Sequence, residues 1–108
     1  LRSTGSELDK TTRAQLARGE RMVELLKQEQ YQPSPVEHQV IAIFAGTNGY
    51  VDDVPTSDVR KFEKELLKFV DVTYENIKKE IKKKKTLDDD LKAKIRAMIE
   101  EFKKGFQP

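Results

Sequence analysis

The chain has 108 residues, 36% hydrophobic and 37% charged, with no cysteine, one histidine and a formal net charge of +2. That length suits one domain with a modest core. The absence of cysteine rules out a disulfide framework and thiolate chemistry, and a lone histidine is a poor start for a zinc site. No run approaches the roughly 20 apolar residues a membrane span needs, and so small a net charge is no general electrostatic bid for nucleic acid.

Charge is unevenly spread. Residues 1–54 carry 6 basic and 8 acidic side chains, and residues 55–108 carry 15 and 11. The residues up to Ser6 are small and polar and fit no helical or strand pattern. They read as an expression scar or cut linker, which sets residues 1–7 apart from the rest. The first helix is predicted to start at Asp9, a good N-cap, and to end near Gln28. Leu16, Val23 and Leu26 lie close to one face of it, with Met22 beside them, and form its expected buried stripe. Gly19 interrupts this helix, which predicts close packing against a neighbour.

A turn follows from Gln28 through the prolines at 33 and 35. Ser34 and Glu37 make a capping-box pair with Pro35 at the first helical position. The second helix carries Val36, Val40, Ile41, Ile43 and Phe44, the most apolar segment, and belongs at the centre. Asn48-Gly49 ends it, since both residues tolerate a left-handed backbone. A third helix begins near Thr56 or Ser57 and buries Val59, Phe62, Leu66, Leu67, Phe69 and Val70. A break is predicted at Asp71 to Thr73, where two β-branched residues adjoin a cap-forming Asp. A shorter fourth helix holds Tyr74, Ile77 and Ile81, and lysines 82 to 85 suit its C-terminus. Thr86 and Asp89 resemble another capping pair. The last helix shows a stripe of Leu87, Leu91, Ile95, Met98, Ile99 and Phe102, and Gly105 stops it. No useful segment alternates with period two, so the expected fold class is all-α, a bundle of about five helices joined by short loops.

Chemistry is sparse. Gly46-Thr47-Asn48-Gly49 follows a helix instead of opening one, the wrong geometry for cradling phosphate. His38 has no nucleophile or ligand partner in sequence and reads as a surface or helix-packing residue. Asp88-Asp89-Asp90 at a helix start compensates the helix dipole more simply than it binds a metal. The lysine cluster at 78, 79, 82, 83, 84 and 85 reads as a solvated face, since no aromatic interleaving accompanies it. Gln28 and Gln30 could both serve the edge of an adenine if the backbone there is extended, because each amide offers a donor beside an acceptor. By chemistry alone, ordinary surface glutamines are the better explanation.

Several motifs in order give a more specific reading. Leu25-Leu26-Lys27-Gln28-Glu29-Gln30-Tyr31-Gln32-Pro33, Val36-Glu37-His38-Gln39-Val40 and Ala45-Gly46-Thr47-Asn48-Gly49-Tyr50-Val51-Asp52 stand at the spacing of one family. So do Phe62-Glu63-Lys64-Glu65-Leu66-Leu67, the closing Phe102-Lys103-Lys104-Gly105-Phe106, and the opening run with Leu8-Asp9 and Leu16-Ala17-Arg18-Gly19. Together they make residues 8–106 resemble the C-terminal helical domain of the alpha subunit of the F-type ATP synthase. Val51 stands where leucine is usual, and residues 82–85 are unusually basic.

The resemblance implies a non-catalytic, regulatory subunit that alternates with beta subunits around a gamma rotor during proton-gradient-driven ATP synthesis. It implies that Gln28 and Gln30 contact the adenine of a non-catalytic nucleotide, Mg-ATP, in the intact subunit only. The P-loop, the magnesium hydroxyl and the arginine that reaches the catalytic site lie outside these residues. The fragment itself is therefore expected to be no enzyme, with no catalytic or metal residue and no cofactor of its own. Expected partners are beta and gamma, without nucleic acid or direct membrane insertion. The expected place is the cytoplasmic face of a bacterial inner membrane, or its organellar equivalent, as part of a peripheral complex. Apolar patches left by excision favour self-association. The alternative is a stand-alone helical interaction module whose basic lysine face binds a partner protein or nucleic acid.

Overall fold

The computed structural model describes the backbone of residues 2–31 and 35–106, and the side chains of residues 9–27 and 35–106. Five α-helices follow one another: α1 (Arg2–Tyr31), α2 (Val36–Thr47), α3 (Val59–Thr73), α4 (Glu75–Lys84) and α5 (Asp89–Gly105). A 3₁₀ turn, Thr56–Asp58, leads into α3. No strand occurs among the described residues, and the all-α bundle forms as expected.

α1 begins at Arg2, well ahead of Asp9. Extending an existing helix costs only the propensity of each added residue, whereas nucleation is the expensive step, so weak helix formers can be carried along. The expected buried stripe of α1 is not the buried one. Leu16, Val23 and Leu26 are 63%, 50% and 50% exposed, while Leu25 is 2% exposed and Met22 packs on the core beside it. Nor does Gly19 pack closely, since a Cβ built there would meet nothing within 4 Å. Close approach occurs instead at Gly46 of α2, where a Cβ would run into Met22 Sδ and lie 2.9 Å from Leu25 Cδ1.

Pro35 is the N-cap of α2, at φ −53° and ψ 151°, and its carbonyl accepts from His38 N and Gln39 N at 3.0 and 3.1 Å. The helix thus starts one residue later than expected. Ser34, the other expected cap, lies outside the described residues. At its far end Gly49 takes φ +82°. Tyr50 N donates to Ala45 O at 2.9 Å and Gly49 N to Gly46 O at 3.4 Å. This is a Schellman stop, and it supplies partners for two of the helix's last carbonyls.

α3 continues through Asp71 to Thr73, so the expected break falls instead at Tyr74, its C-cap, between α3 and α4. β-branched residues cost at most about 0.7 kcal/mol in a helix. The Asp71 carboxylate is occupied by Lys78 and His38 and does not cap. α5 is capped by Asp88, whose Oδ1 accepts from Leu91 N at 2.8 Å, and Thr86 plays no such part.

α3 sits at the centre and packs on all four other helices. Its Phe62, Leu66 and Val70 are fully buried, as are Ile41 of α2 and Leu91, Ile95, Met98 and Ile99 of α5. Phe62 meets Phe102 and Phe106 edge-on, with centroids 5.4 and 5.2 Å apart. Such edge-to-face pairs add about 0.5–1.5 kcal/mol beyond area burial. Ile43, expected in the core, is 38% exposed. The molecule measures 51 × 29 × 27 Å. Its long dimension reflects α1, which at 1.5 Å per residue is about 45 Å long.

Candidate functional site

The residues singled out by sequence, Gln28 and Gln30, fall in the last turn of α1. Their side chains lie outside the described residues. The backbone there is helical as far as Tyr31, not the extended turn that would set two amides side by side. Helical positions two apart are separated by about 200° around the axis.

What the structure does describe is how α1 is held. Arg18 forms a forked pair with Asp52, Nε to Oδ1 at 3.1 Å and Nη2 to Oδ2 at 2.6 Å. Gly49 leaves room for it, since a Cβ on Gly49 would stand 2.9 Å from Arg18 Nη2 and 3.2 Å from Asp52 Oδ2. The arginine comes from the opening Leu-x-Arg-Gly motif and the aspartate from the Gly-Tyr-Val-Asp motif. Two patterns far apart in sequence are therefore one clasp. The hydrogen bond from Arg18 holds the Asp52 carboxyl below its ordinary range, against the opposing effect of burial. The same bond raises Arg18.

One turn on, Arg21 Nε donates to Val54 O at 2.7 Å, and Nη1 to Ala17 O at 2.8 Å. Glu24 then pairs with Arg60 of α3 at 3.2 Å. Leu25 closes the seam against Gly46. Arg18, Arg21, Met22 and Leu25 are spaced i, i+3, i+4 and i+7, one face of a helix. Sequence reasoning missed this face because two of its members are arginines. The available signal was that Arg18, Gly49 and Asp52 each sit inside a motif.

The connection after α2 is also tied to α5. Tyr50 Oη donates to Glu100 Oε2 at 3.1 Å, and Lys103 pairs with Asp53 at 2.7 Å. Burial, helped by the bond to Glu100, raises the Tyr50 hydroxyl.

Elsewhere titratable residues pin helices together. His38 Nε2 lies 2.7 Å from Asp71 Oδ1, and Lys78 Nζ reaches the same oxygen at 2.6 Å. This joins α2, α3 and α4. Burial works to raise Asp71, but the bonds from Lys78 and His38 outweigh it and hold the carboxyl below its ordinary range. His38 is thus a helix-packing residue. Of the lysine cluster, Lys78 serves Asp71, and Lys84 pairs with Asp88 at 3.1 Å and Glu80 at 3.8 Å. Glu80 also takes Lys94 at 2.8 Å, which ties α4 to α5. Asp88 caps α5, with Asp89 and Asp90 in its first turn, where carboxylates offset the helix dipole. Among the described residues no group of His, Cys, Asp or Glu could hold a metal ion. The Gly46–Gly49 turn presents the carbonyl end of a helix, which repels phosphate.

Comparison with known proteins agrees with this arrangement. Residues 2–102 match the family described as ATP synthase alpha/beta chain, C terminal domain. The chain is 54% identical over 103 residues to the ATP synthase subunit alpha of Aquifex aeolicus (strain VF5), covering 95% of this chain. It spans 20% of that relative's length. Since the match takes in α1 to α4, most of α5 and both halves of the Arg18–Asp52 clasp, the chain belongs to the ATP synthase alpha/beta C-terminal domain family.

Proposed function

We propose that this chain serves as the C-terminal helical domain of the non-catalytic, regulatory alpha subunit of an F-type ATP synthase. The observation that carries the reading is the 54% identity, over 95% of the chain, to a protein that is specifically a subunit alpha. In that reading the bundle packs with beta subunits around the gamma rotor, in a peripheral complex on the inner membrane. Its share of the work is structural. The Arg18–Asp52 clasp and the Gly46 seam set where the last turn of α1 is presented.

The proposal extends to Gln28 and Gln30 as adenine contacts of a non-catalytic Mg-ATP. Mg-ATP fits this chain only at its base. Among the described residues there is neither a phosphate cradle nor a carboxylate group for magnesium, so phosphates and metal fall to the rest of the subunit. On a continuous helix the two positions lie on opposite sides, so joint contact with one base requires the last turn of α1 to open. Two amide contacts cannot offset the entropy of association, so the chain alone neither binds ATP at micromolar concentration nor hydrolyses it.

The test is made in the assembled alpha–beta–gamma complex. Each lost neutral hydrogen bond costs about 0.5–1.5 kcal/mol. Gln28→Ala/Gln30→Ala is therefore expected to weaken non-catalytic nucleotide occupancy by roughly fivefold to a hundredfold. Nucleotide content equal to the parent complex refutes the adenine role. Micromolar ATP binding to the 108-residue chain in calorimetry refutes the division of labour.

A further inference from the structure

α3 carries a row of residues at i, i+4, i+7 and i+11: Val59, Glu63, Leu66 and Val70. Three are apolar and fully buried, and the fourth, Glu63, is 2% exposed. It is the one charged side chain buried among the described residues. Burying a carboxylate is costly unless donors meet it, and an apolar residue of similar volume in its place is often neutral or stabilising. Stability therefore explains a glutamate in this row poorly. The best-attested use of a buried polar group is to fix how one helix sits on another.

The seam between α1 and α3 says which helix end that is. Going up α1, Arg21 meets Val54 and Glu24 meets Arg60, so the two chains ascend together. Glu63 lies at i+3 from Arg60, one turn higher on a neighbouring face, which is the level of the last turn of α1. The chain then reverses, and His38 near the start of α2 meets Asp71, about two turns above Glu63. Position 28 is i+7 from Arg21 and i+3 from Leu25, so it continues the face that α1 turns to the bundle. Lys27, the last described side chain of α1, bonds back to Glu24 of its own helix. The backbone of a helix's last turn offers carbonyls and no free N–H, so donors to a carboxylate there are side chains. By residue type these are the amides of Gln28 and Gln30 and the hydroxyl of Tyr31.

We propose that Glu63 is a positioning residue for the nucleotide-bearing end of α1. Its buried carboxylate anchors the last turn of α1 to α3 and so fixes where Gln28 is presented. The consequence for nucleotide rests on the adenine role proposed above, whereas the anchor does not.

The anchor is read by amide hydrogen exchange in the 108-residue chain. Glu63→Met is expected to speed exchange of the amides of residues 28–31 by about fivefold, as loss of one hydrogen bond allows. Exchange in α3 and α5 should stay as in the parent. Glu63→Gln keeps an acceptor oxygen and should restore the last turn to within about twofold. Gln28→Ala/Tyr31→Phe removes donors from the other side and should speed the same amides, although alanine is the better helix former. It leaves the α3 core intact, so it reads the anchor even if Glu63→Met does not fold. In the assembled alpha–beta–gamma complex, Glu63→Met should weaken non-catalytic nucleotide occupancy by about fivefold and spare the catalytic sites. Unchanged exchange at residues 28–31, or equal acceleration across α3 and α5, overturns the anchor. Unchanged occupancy in Glu63→Met, where Gln28→Ala/Gln30→Ala lowers it, overturns the positioning role. If the glutamine variant also leaves occupancy unchanged, the adenine role is what fails, and exchange alone decides the anchor.

Discussion

Replacing Gly46 with alanine sets two effects against each other. Gly46 lies within α2, where alanine is intrinsically better than glycine by about 1 kcal/mol. The new Cβ would collide with Met22 Sδ and stand 2.9 Å from Leu25 Cδ1. Overpacking of that kind costs about 1–3 kcal/mol. The net expectation is a loss of roughly 0–2 kcal/mol. Gly19 supplies the control. It too lies inside a helix, but a Cβ there meets nothing within 4 Å, so Gly19→Ala keeps the whole propensity gain. The two variants should differ by about 1–3 kcal/mol, which at roughly 4–8 °C per kcal/mol separates their melting temperatures by at least about 4 °C. Thermal melting followed by circular dichroism reads this directly. Adding Met22→Ala to Gly46→Ala removes the sulfur in the way, so the pair should be less destabilising than the sum of the single changes. The reasoning is refuted if Gly46→Ala raises the melting temperature as much as Gly19→Ala does.

The two leucines of α1 offer a second contrast. Leu25→Ala, at a site 2% exposed, should cost about 2–5 kcal/mol, while Leu16→Ala, 63% exposed, should stay within about 0.5 kcal/mol. Denaturant titration of both variants distinguishes this from a helix that buries the Leu16 side. Acid should weaken the bundle in a definite window. Asp52 and Asp71 are both held below their ordinary value of 3.8 in the folded state. Their contribution is present in full above the unfolded value and is lost as pH falls through the folded one. Melting temperature should therefore fall below pH about 4, and Asp52→Asn should flatten that fall. An unchanged acid slope in Asp52→Asn would remove Arg18–Asp52 from the account.

The last helix was readable because its large apolar residues are all buried. Leu91, Ile95, Met98, Ile99 and Phe102 repeat at helical spacing, and all are buried. Periodicity finds an apolar face but does not say what covers it, so Leu16, Val23 and Leu26 read as core and are largely exposed. The two glycines show the same limit. Gly19 and Gly46 look alike in sequence, and only the neighbouring helix decides which one has no room. The clasp was illegible for another reason. Arg18 and Asp52 are 34 residues apart, and local rules reach only a turn or two. The Gln28–Tyr31 turn was expected from polar composition and nearby prolines, yet the helix continues to Tyr31 because glutamine and glutamate are good helix formers. For the candidate site, motif spacing supplied the residues and their family role, but not the backbone that presents them.

The clasp also divides α1 in time. Residues 9–16 are all exposed, and among the described residues the first side-chain hydrogen bonds from α1 to the rest of the bundle come from Arg18 and Arg21. Helices shorter than about 12–15 residues are marginal in water without such contacts. Amide hydrogens on the near side of Ala17 should thus exchange with solvent through local fraying. Those beyond Arg21 are released only when α1 lifts from α2 and α3. One covalent helix would carry two protection regimes, with the boundary set by an arginine and not by any break in the backbone.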